Sequence, residues 1–188
     1  LTRDDLENRR RYLNARHTMM SLMEMRVVPI INENDTVMVE EIHFGDNDNL
    51  AAMITPLVDA DLLIILSDVP GLFDEDPALG KGGRIIPVVE RVDEQIEQLA
   101  GGARPGTGLG GMITKVNAAK RAARYGVPTV VTDGKEKDII LRIVKGETVG
   151  TIFLPQKDRL TLRKHWIAYT LKSHGTLVID AGAVEALV

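Results

Sequence analysis

Residues 61–72 have the sequence DLLIILSDVPGL. The apolar run at residues 62–66 has no polar residue in alternate positions, which is typical of a strand buried on both faces of a parallel sheet. The run stops at Ser67 and Asp68, after which Pro70 and Gly71 favour a turn. The stretch therefore predicts a central buried strand with polar side chains at its carboxyl end.

Shorter apolar runs on both sides of this strand repeat the pattern. They predict strands at residues 27–31, 36–44, 84–89, 127–131 and 149–153, and helices at residues 2–20, 47–58, 93–99, 112–125 and 135–145. Thr2 and Asp5 have the spacing of a capping box at the start of the first helix. Strands that alternate with helices predict an α/β fold with a mostly parallel sheet sandwiched by helices.

Composition narrows the classes of function. The chain has 188 residues, 44% of them apolar and 27% charged, which is usual for a globular protein. The formal net charge of −4 favours neither nucleic acid nor acidic membrane, and no apolar run reaches the roughly 20 residues of a membrane helix. The chain has no Cys, which excludes disulfides and thiolate chemistry. We expect a cytoplasmic protein without nucleic-acid or membrane partners.

Polar clusters follow three of the predicted strands. Residues 32–35 (NEND) follow the strand at 27–31, Ser67 and Asp68 follow the central strand, and residues 132–134 (TDG) follow the strand at 127–131. Ligands of open α/β sheets bind beyond the carboxyl ends of the strands. Asn and Asp also form turns and caps, so each residue alone fits a structural role, and for Asp133 we expect a turn. Three clusters at one edge together predict a binding site.

Two more polar segments precede predicted helices. Residues 45–49 (GDNDN) combine carboxylates and amides where helix N–H groups attract anions; a capping turn would use the same residues, and a calcium loop would need a later glutamate that is absent. Residues 106–115 (GTGLGGMITK) are rich in glycine, so their amides can turn towards a phosphate. The same glycines match the dinucleotide pattern GxGxxG, with Asp133 about 20 residues further on.

Four motifs, in this order and spacing, resemble the glutamate 5-kinase branch of the amino-acid kinase family. They are VPIINEND at residues 28–35, GDNDNL at 45–50, SDVPGL at 67–72 and GLGGMITK at 108–115. The resemblance implies ATP-dependent phosphorylation of the side-chain carboxylate of L-glutamate to L-glutamyl 5-phosphate, the first step of proline biosynthesis. It also implies Mg²⁺ on the ATP phosphates, feedback inhibition by proline, and assembly into dimers or tetramers.

Carried over residue by residue, the resemblance implies two adjoining subsites. The glutamate subsite would contain Asp35, Asn47 and Asn32, with Asp48 in the same pocket as a catalytic residue. The ATP subsite would contain Ser67, Asp68 and a nucleotide loop made of Leu109, Gly110, Gly111, Met112, Ile113, Thr114 and the catalytic Lys115. No residue is predicted to bind a metal directly. Lys115 could also be a solvated helix lysine.

The resemblance also predicts how the chain is divided. Residues 1–154 would be the carboxy-terminal part of the kinase domain, residues 155–174 a linker, and residues 175–188, which begin GTLVIDAGA, the opening of a small β-rich PUA-like module. The family's amino-terminal strand, its glycine-rich turn and a phosphate-binding lysine have no counterpart in this sequence. We therefore expect a piece of a longer protein that is inactive alone.

Three alternative hypotheses stay open on the sequence. Another member of the family could act on aspartate, acetylglutamate, carbamate or UMP, although the NEND and GDNDN clusters argue against it. A nicotinamide-dependent oxidoreductase could use the glycine loop, although no predicted strand leads into that loop. A noncatalytic regulatory or RNA-binding protein would fit the PUA-like tail, although the net charge does not favour it.

Overall fold

A computed structural model of the chain describes residues 1–2, 5–6, 8–33, 47–75, 83–101, 111–155, 180 and 182. The predicted features outside these residues are the strand at 36–44, Asp35, Leu109, Gly110 and nearly all of the linker and PUA-like module at 155–188. Among the helices of the described residues, none combines the length and the apolar character that crossing a membrane requires.

The described chain alternates helices and strands, as predicted. In chain order the elements are α1 (Arg9–Glu24), α2 (Asn47–Ile54), β1 (Leu63–Ser67), β2 (Val88–Val89), α3 (Glu94–Leu99), α4 (Met112–Arg124), β3 (Thr129–Asp133), α5 (Ile139–Val144) and β4 (Thr151–Phe153). Most are shorter than the sequence pattern predicted. The reason is that residues at the ends of the predicted segments form turns or irregular structure instead of continuing the helix or strand.

The strands of the described chain form one sheet in the order β1-β3-β4-β2. β1 pairs with β3 and β2 pairs with β4, both in parallel, whereas β3 and β4 are antiparallel. The β1–β3 register places Ser67 opposite Asp133, so the two strands end at the same level. The prediction of a mostly parallel sheet in an α/β fold is confirmed.

Alternate side chains of the strands pack against helices on opposite faces of the sheet. Ile65, Val131 and Phe153 belong to a buried cluster with α4, which contributes fully buried Val116, Ala118, Ala119 and Ala122. Small alanine side chains let α4 lie close to the sheet. On the other face, Val130 packs with Ile139 and Ile143 of α5. The sheet is therefore covered on both faces, as its apolar strands require.

The start of β4 is fixed by a close approach to β3. Gly150 has a φ of +64°, and a Cβ atom built on it would lie 2.2 Å from the carbonyl oxygen of Val131. Only glycine fits this backbone position. The next residue, Thr151, is fully buried.

The amino-terminal segment begins with the predicted capping box but does not form one continuous helix. The backbone N–H of Thr2 donates to Asp5 Oδ2 (2.8 Å), and the N–H of Asp5 donates to Thr2 Oγ1 (3.2 Å). Burial raises the pKa of the Asp5 carboxyl, but hydrogen bonds from Thr2 and the charge of Arg11 outweigh it, so this pKa is lowered. A second cap then starts α1, because Asn8 Oδ1 accepts from the N–H groups of Arg10 and Arg11.

α1 packs through one side on α2 and the turn that follows it. Leu6 and Met19 form a buried cluster with Leu57, and Tyr12 packs against it. Burial, together with the neighbouring Tyr125, raises the pKa of the Tyr12 hydroxyl to about 12. The Arg16 guanidinium donates to the carbonyl oxygens of residues 56 and 57 and to both carboxylate oxygens of Asp59, which ties α1 to the end of α2.

The prediction of a buried strand at residues 27–31 is wrong. This segment has no regular structure, and Val27, Val28 and Ile30 are 46%, 84% and 98% exposed. A β-branched run becomes a strand only when a neighbouring strand pairs with it, and within the described residues no strand pairs with this one. Ile31, by contrast, packs against the buried cluster of α1 and α2.

The strand predicted at 84–89 is shorter in the structure. It is reduced to β2 and an isolated antiparallel bridge between Phe73 and Ile85.

Candidate active site

The topology brings the amino-terminal turns of α2 and α4 to one edge of the sheet. α2 leads directly into β1, and α4 leads through Gly126 into β3. Both helices contact the sheet, and α2 and α4 pack against each other. A helix that packs on a sheet and leads into its next parallel strand is expected to run antiparallel to that strand. Their first turns therefore lie at the edge where β1 and β3 end, and where ligands of such sheets bind.

A contact between these first turns joins residues predicted for separate subsites. The Lys115 ammonium lies 2.9 Å from Asp48 Oδ2, and their side chains are only 12% and 18% exposed. The Thr114 hydroxyl lies 3.1 Å from the same Oδ2 atom. Asp48 lies within the segment 45–49 that was predicted to bind the acceptor, and Lys115 ends the predicted nucleotide loop. The structure thus places the two predicted catalytic residues in direct contact.

Thr114 has one proton and two acceptors within reach. Its hydroxyl is 3.1 Å from Asp48 Oδ2 and 2.8 Å from the carbonyl oxygen of Gly111. Because a hydroxyl donates one hydrogen bond at a time, these two contacts are alternatives. The Thr114 hydroxyl can therefore donate either to Asp48 Oδ2 or to the Gly111 carbonyl oxygen, but not to both at once.

The amino terminus of α4 offers backbone donors next to this ion pair. Gly111 is the N-cap residue, and among the described residues no side chain caps its end of the helix. The N–H of Thr114 donates to the Gly111 carbonyl (3.1 Å). The first N–H groups of a helix generally have no partner within it and carry a partial positive charge. Together with the Lys115 ammonium they form a positive end suited to a phosphate.

Ser67 and Asp68 lie beside Gly134 at the ends of β1 and β3. The Ser67 hydroxyl donates to Asp68 Oδ1 (3.2 Å), and the Ser67 carbonyl accepts from the N–H of Gly134 (2.9 Å). Asp133 Oδ1 accepts from the N–H of Lys135 (2.9 Å). The expectation that Asp133 is a turn residue is therefore confirmed.

The other predicted site residues are distributed as follows. Asn47 is exposed at the start of α2, and Asn32 is exposed in the irregular segment, where its carbonyl oxygen accepts from the amino-terminal ammonium of Leu1 (2.9 Å). Met112 and Ile113 are half-buried and pack against the main cluster. Asp35, Leu109 and Gly110 lie outside the described residues, so their roles stay predictions.

The sequence did not identify Thr151. Its hydroxyl accepts a buried hydrogen bond from the N–H of Leu72, which closes the segment that begins with Ser67 and Asp68 (2.8 Å). The available signal was a polar residue in the apolar run at 149–153, directly after a glycine. Nothing in that run indicated which distant segment the hydroxyl would meet.

We expect Asp48→Asn to lower the free energy of unfolding of the intact protein by about 2 kcal/mol. The substitution leaves the largely buried Lys115 ammonium without its carboxylate, and a fully buried pair would lose about 3–5 kcal/mol. Urea unfolding at pH 7 measures the change. The matched control is Glu97→Gln, which breaks the Lys120–Glu97 pair, whose side chains are 33% and 32% exposed. This control should cost less than about 1 kcal/mol. Equal losses of unfolding free energy in the two variants would contradict the claim that burial makes the Asp48–Lys115 pair more stabilising than the Glu97–Lys120 pair.

The sequence of the chain is similar to those of known proteins. Residues 1–133 match the model of the amino acid kinase family. The chain is 57% identical over 187 residues to a glutamate 5-kinase of Syntrophotalea carbinolica and 52% identical over 188 residues to one of Trichlorobacter lovleyi. In both cases the alignment covers 100% of this chain and 50% of the relative. The chain thus spans about half the length of the curated relatives it matches.

A solved structure supports the architecture. The UMP kinase from Bacillus anthracis aligns with a TM-score of 0.53 at 16% identity, covering 74% of this chain and 50% of that one. At this identity the likeness concerns the fold alone.

Proposed function

The chain belongs to the amino acid kinase family, and from this premise we propose that the intact protein is a glutamate 5-kinase. It would transfer the γ-phosphoryl group of ATP to the side-chain carboxylate of L-glutamate and release ADP and L-glutamyl 5-phosphate. The observation that carries this proposal is the contact of Lys115 with Asp48, which joins the helix of the predicted acceptor site to the helix of the predicted nucleotide loop. The identity to named glutamate 5-kinases over the whole chain supports the choice of acceptor.

The proposed chemistry needs position and charge neutralisation more than covalent help from the protein. A carboxylate oxygen of glutamate attacks the terminal phosphorus of ATP, and the bond from that phosphorus to the bridging oxygen breaks. Negative charge then builds on the β-phosphate of the departing ADP. Lys115 and the first-turn amides of α4, which follow the predicted nucleotide loop, would stabilise that charge. Asp48 holds the ammonium of Lys115 at the start of α4 until a phosphate competes for it.

The remaining residues would fix the two substrates. We assign Asp35, Asn47 and Asn32 to glutamate, because a carboxylate can accept from its ammonium group and amides can donate to its α-carboxylate. We assign Ser67, Asp68 and residues 109–115 to ATP. Support for Ser67 and Asp68 comes from their position at the end of β1, and support for the other assigned residues comes from the sequence motifs.

Magnesium fits this site as a companion of the ATP phosphates. Within the described residues no group of three or more side chains could enclose a metal ion. Mg²⁺ commonly keeps several waters and uses one or two carboxylates plus substrate phosphates. Asp68 is an exposed carboxylate at the predicted ATP subsite and could serve as such a ligand. When bound, the ion would neutralise phosphate charge.

The wider setting is also part of the proposal. The reaction would be the first step of proline biosynthesis in the cytoplasm, with proline as feedback inhibitor and the protein as a dimer or tetramer. Residues 1–154 would belong to the kinase domain, 155–174 to a linker and 175–188 to the start of a PUA-like module. These assignments are supported by the sequence resemblance.

An acceptor panel tests the proposed function. We expect the intact protein to release ADP from Mg-ATP with L-glutamate at least about 100-fold faster than with aspartate, acetylglutamate, carbamate or UMP, because a site built to pair the polar groups of one substrate rejects others strongly. Hydroxylamine should trap the acyl phosphate product as a hydroxamate only in the glutamate reaction. Turnover with UMP or aspartate instead of glutamate would contradict the assignment while keeping the family.

A further inference from the structure

We propose that Thr151, at the start of β4, is a positioning residue that holds the segment of residues 67–71 in its nucleotide-binding conformation. This inference rests on the proposed function, which assigns Ser67 and Asp68 to ATP. It adds a residue from a strand that no motif of the site includes.

The contact runs between distant parts of the chain. The Thr151 hydroxyl accepts from the backbone N–H of Leu72 at 2.8 Å, and both residues are almost fully buried. On its other side, the Leu72 carbonyl accepts from the N–H of Ile86 (2.8 Å). Leu72 is therefore held from two directions. It directly follows the five-residue segment 67–71, whose other end is fixed by β1.

The segment also fits closely against Thr151. A Cβ atom built on Gly71 would lie 2.7 Å from Thr151 Oγ1 and 3.0 Å from a side-chain carbon of Ile85. Such distances leave no room for even a methyl group. The position of Thr151 Oγ1 thus limits how far the backbone at Gly71 can move.

Ser67 is also held by β1, because its carbonyl accepts from the N–H of Gly134 (2.9 Å), whereas the contacts described within the rest of the segment are local and weaker. The Ser67 hydroxyl contacts Asp68 Oδ1 at 3.2 Å, and the N–H of Val69 lies 3.5 Å from Ser67 Oγ. Contacts between residues one or two apart do not fix the segment relative to the sheet. Thr151 does, because its backbone pairs with Val131 in the antiparallel β3–β4 ladder.

This arrangement gives Thr151 a consequence for ligand binding. Without its hydroxyl, the N–H of Leu72 would be buried without an acceptor, and the segment would shift to find one. Asp68 is exposed, so its own surroundings would not resist that shift. Asp68 would then meet ATP in a changed position, whereas Ser67, which is held in β1, and α2 would stay in place.

The sheet offers a matched control at Thr129. Both threonines are fully buried in neighbouring strands, but Thr129 Oγ1 has no hydrogen-bond partner among the described residues. Thr→Val removes a hydroxyl and keeps the shape at both positions. Only Thr151→Val breaks a hydrogen bond, so the pair of variants separates loss of that bond from loss of a polar atom.

The test measures ATP binding by calorimetry, and the KM for ATP and for glutamate, in the intact protein. We expect Thr151→Val to raise the Kd and KM for ATP about tenfold, because a buried N–H loses its acceptor. The KM for glutamate should change less than about twofold. Thr151→Ser should restore ATP binding, and Thr129→Val should resemble the wild type. Gly71→Ala tests the same contact from the other side and should also weaken ATP binding selectively.

Several outcomes would overturn the inference. Thr151→Val and Gly71→Ala that fold and bind ATP normally would reduce Thr151 to a stabilising residue, as would equal rises in both KM values. If Thr151→Val does not fold, Gly71→Ala and Thr151→Ser decide the question. A wild-type protein that binds ATP but does not phosphorylate glutamate contradicts only the proposed acceptor, since the ATP comparison stays measurable. A wild-type protein that binds no ATP overturns both proposals.

Discussion

We expect replacement of Lys115 by Met to lower the kcat of the proposed glutamate-dependent ADP release in the intact protein by about a thousandfold. The loss of one preorganised donor to a developing anion costs roughly 100- to 1,000-fold, and Lys115 supplies a full charge at the first turn of α4. Met keeps the length and helix preference of the side chain without its charge. Because the charge acts mainly in the transition state, the KM for ATP should change much less than kcat. Steady-state kinetics with saturating glutamate measures both values.

Lys120→Met is the control for this prediction. Lys120 lies on the same helix and forms an ion pair with Glu97 of α3, away from the amino-terminal turn. Its replacement should change kcat by less than about twofold, because exposed ion pairs contribute little. A Lys115→Met protein that is folded and retains normal kcat would mean that Lys115 is a structural partner of Asp48 and has no catalytic role.

Gly150→Ala lowers the free energy of unfolding of the intact protein by about 4 kcal/mol or more. Two effects add at this position: a φ of +64°, which disfavours any side chain, and a Cβ placed 2.2 Å from the Val131 carbonyl oxygen. The backbone of β4 must move away from β3 to relieve the collision, which disrupts the antiparallel ladder. Urea unfolding followed by circular dichroism gives the loss.

Gly146→Ala isolates the collision from the backbone strain. Gly146 has a φ of +81°, but no atom of the described residues lies within 4 Å of the Cβ position. It should therefore lose only about 1 kcal/mol, the cost of the backbone conformation alone. Similar losses for both variants would show that the approach of β4 to β3 is not as close as described.

The elements that the sequence predicted well are those with a local cause. The central strand follows from an apolar run with a polar end, and α3 begins directly after Asp93 because that carboxylate caps the N–H of Ile96. The position of the α2 and α4 first turns at one sheet edge follows from chain order. A helix that packs on the sheet and leads into a parallel strand starts near the carboxyl end of that strand. These inferences need only neighbouring residues and a general rule of topology.

The features that the sequence did not predict depend on distant partners. Residues 27–31 have the composition of a strand, yet composition cannot supply a paired neighbour. Asp48 and Lys115 are 67 positions apart, and their contact follows from the packing of α2 on α4. Thr151 and Leu72 are 79 positions apart. In each case the local pattern gave the residue type, and the tertiary structure decided its partner.

The bond between Asp48 and Lys115 has a thermodynamic consequence for an enzyme of two substrates. In the proposed enzyme, a phosphate that attracts Lys115 would weaken its ion pair with Asp48, and an acceptor that contacts Asp48 would weaken the same ion pair, so the two binding events would be coupled. By linkage, the factor by which ATP changes the affinity for glutamate equals the factor by which glutamate changes the affinity for ATP. Through the shared Oδ2 atom of Asp48, the two proposed substrates would change each other's affinity by the same factor, whichever of them binds first.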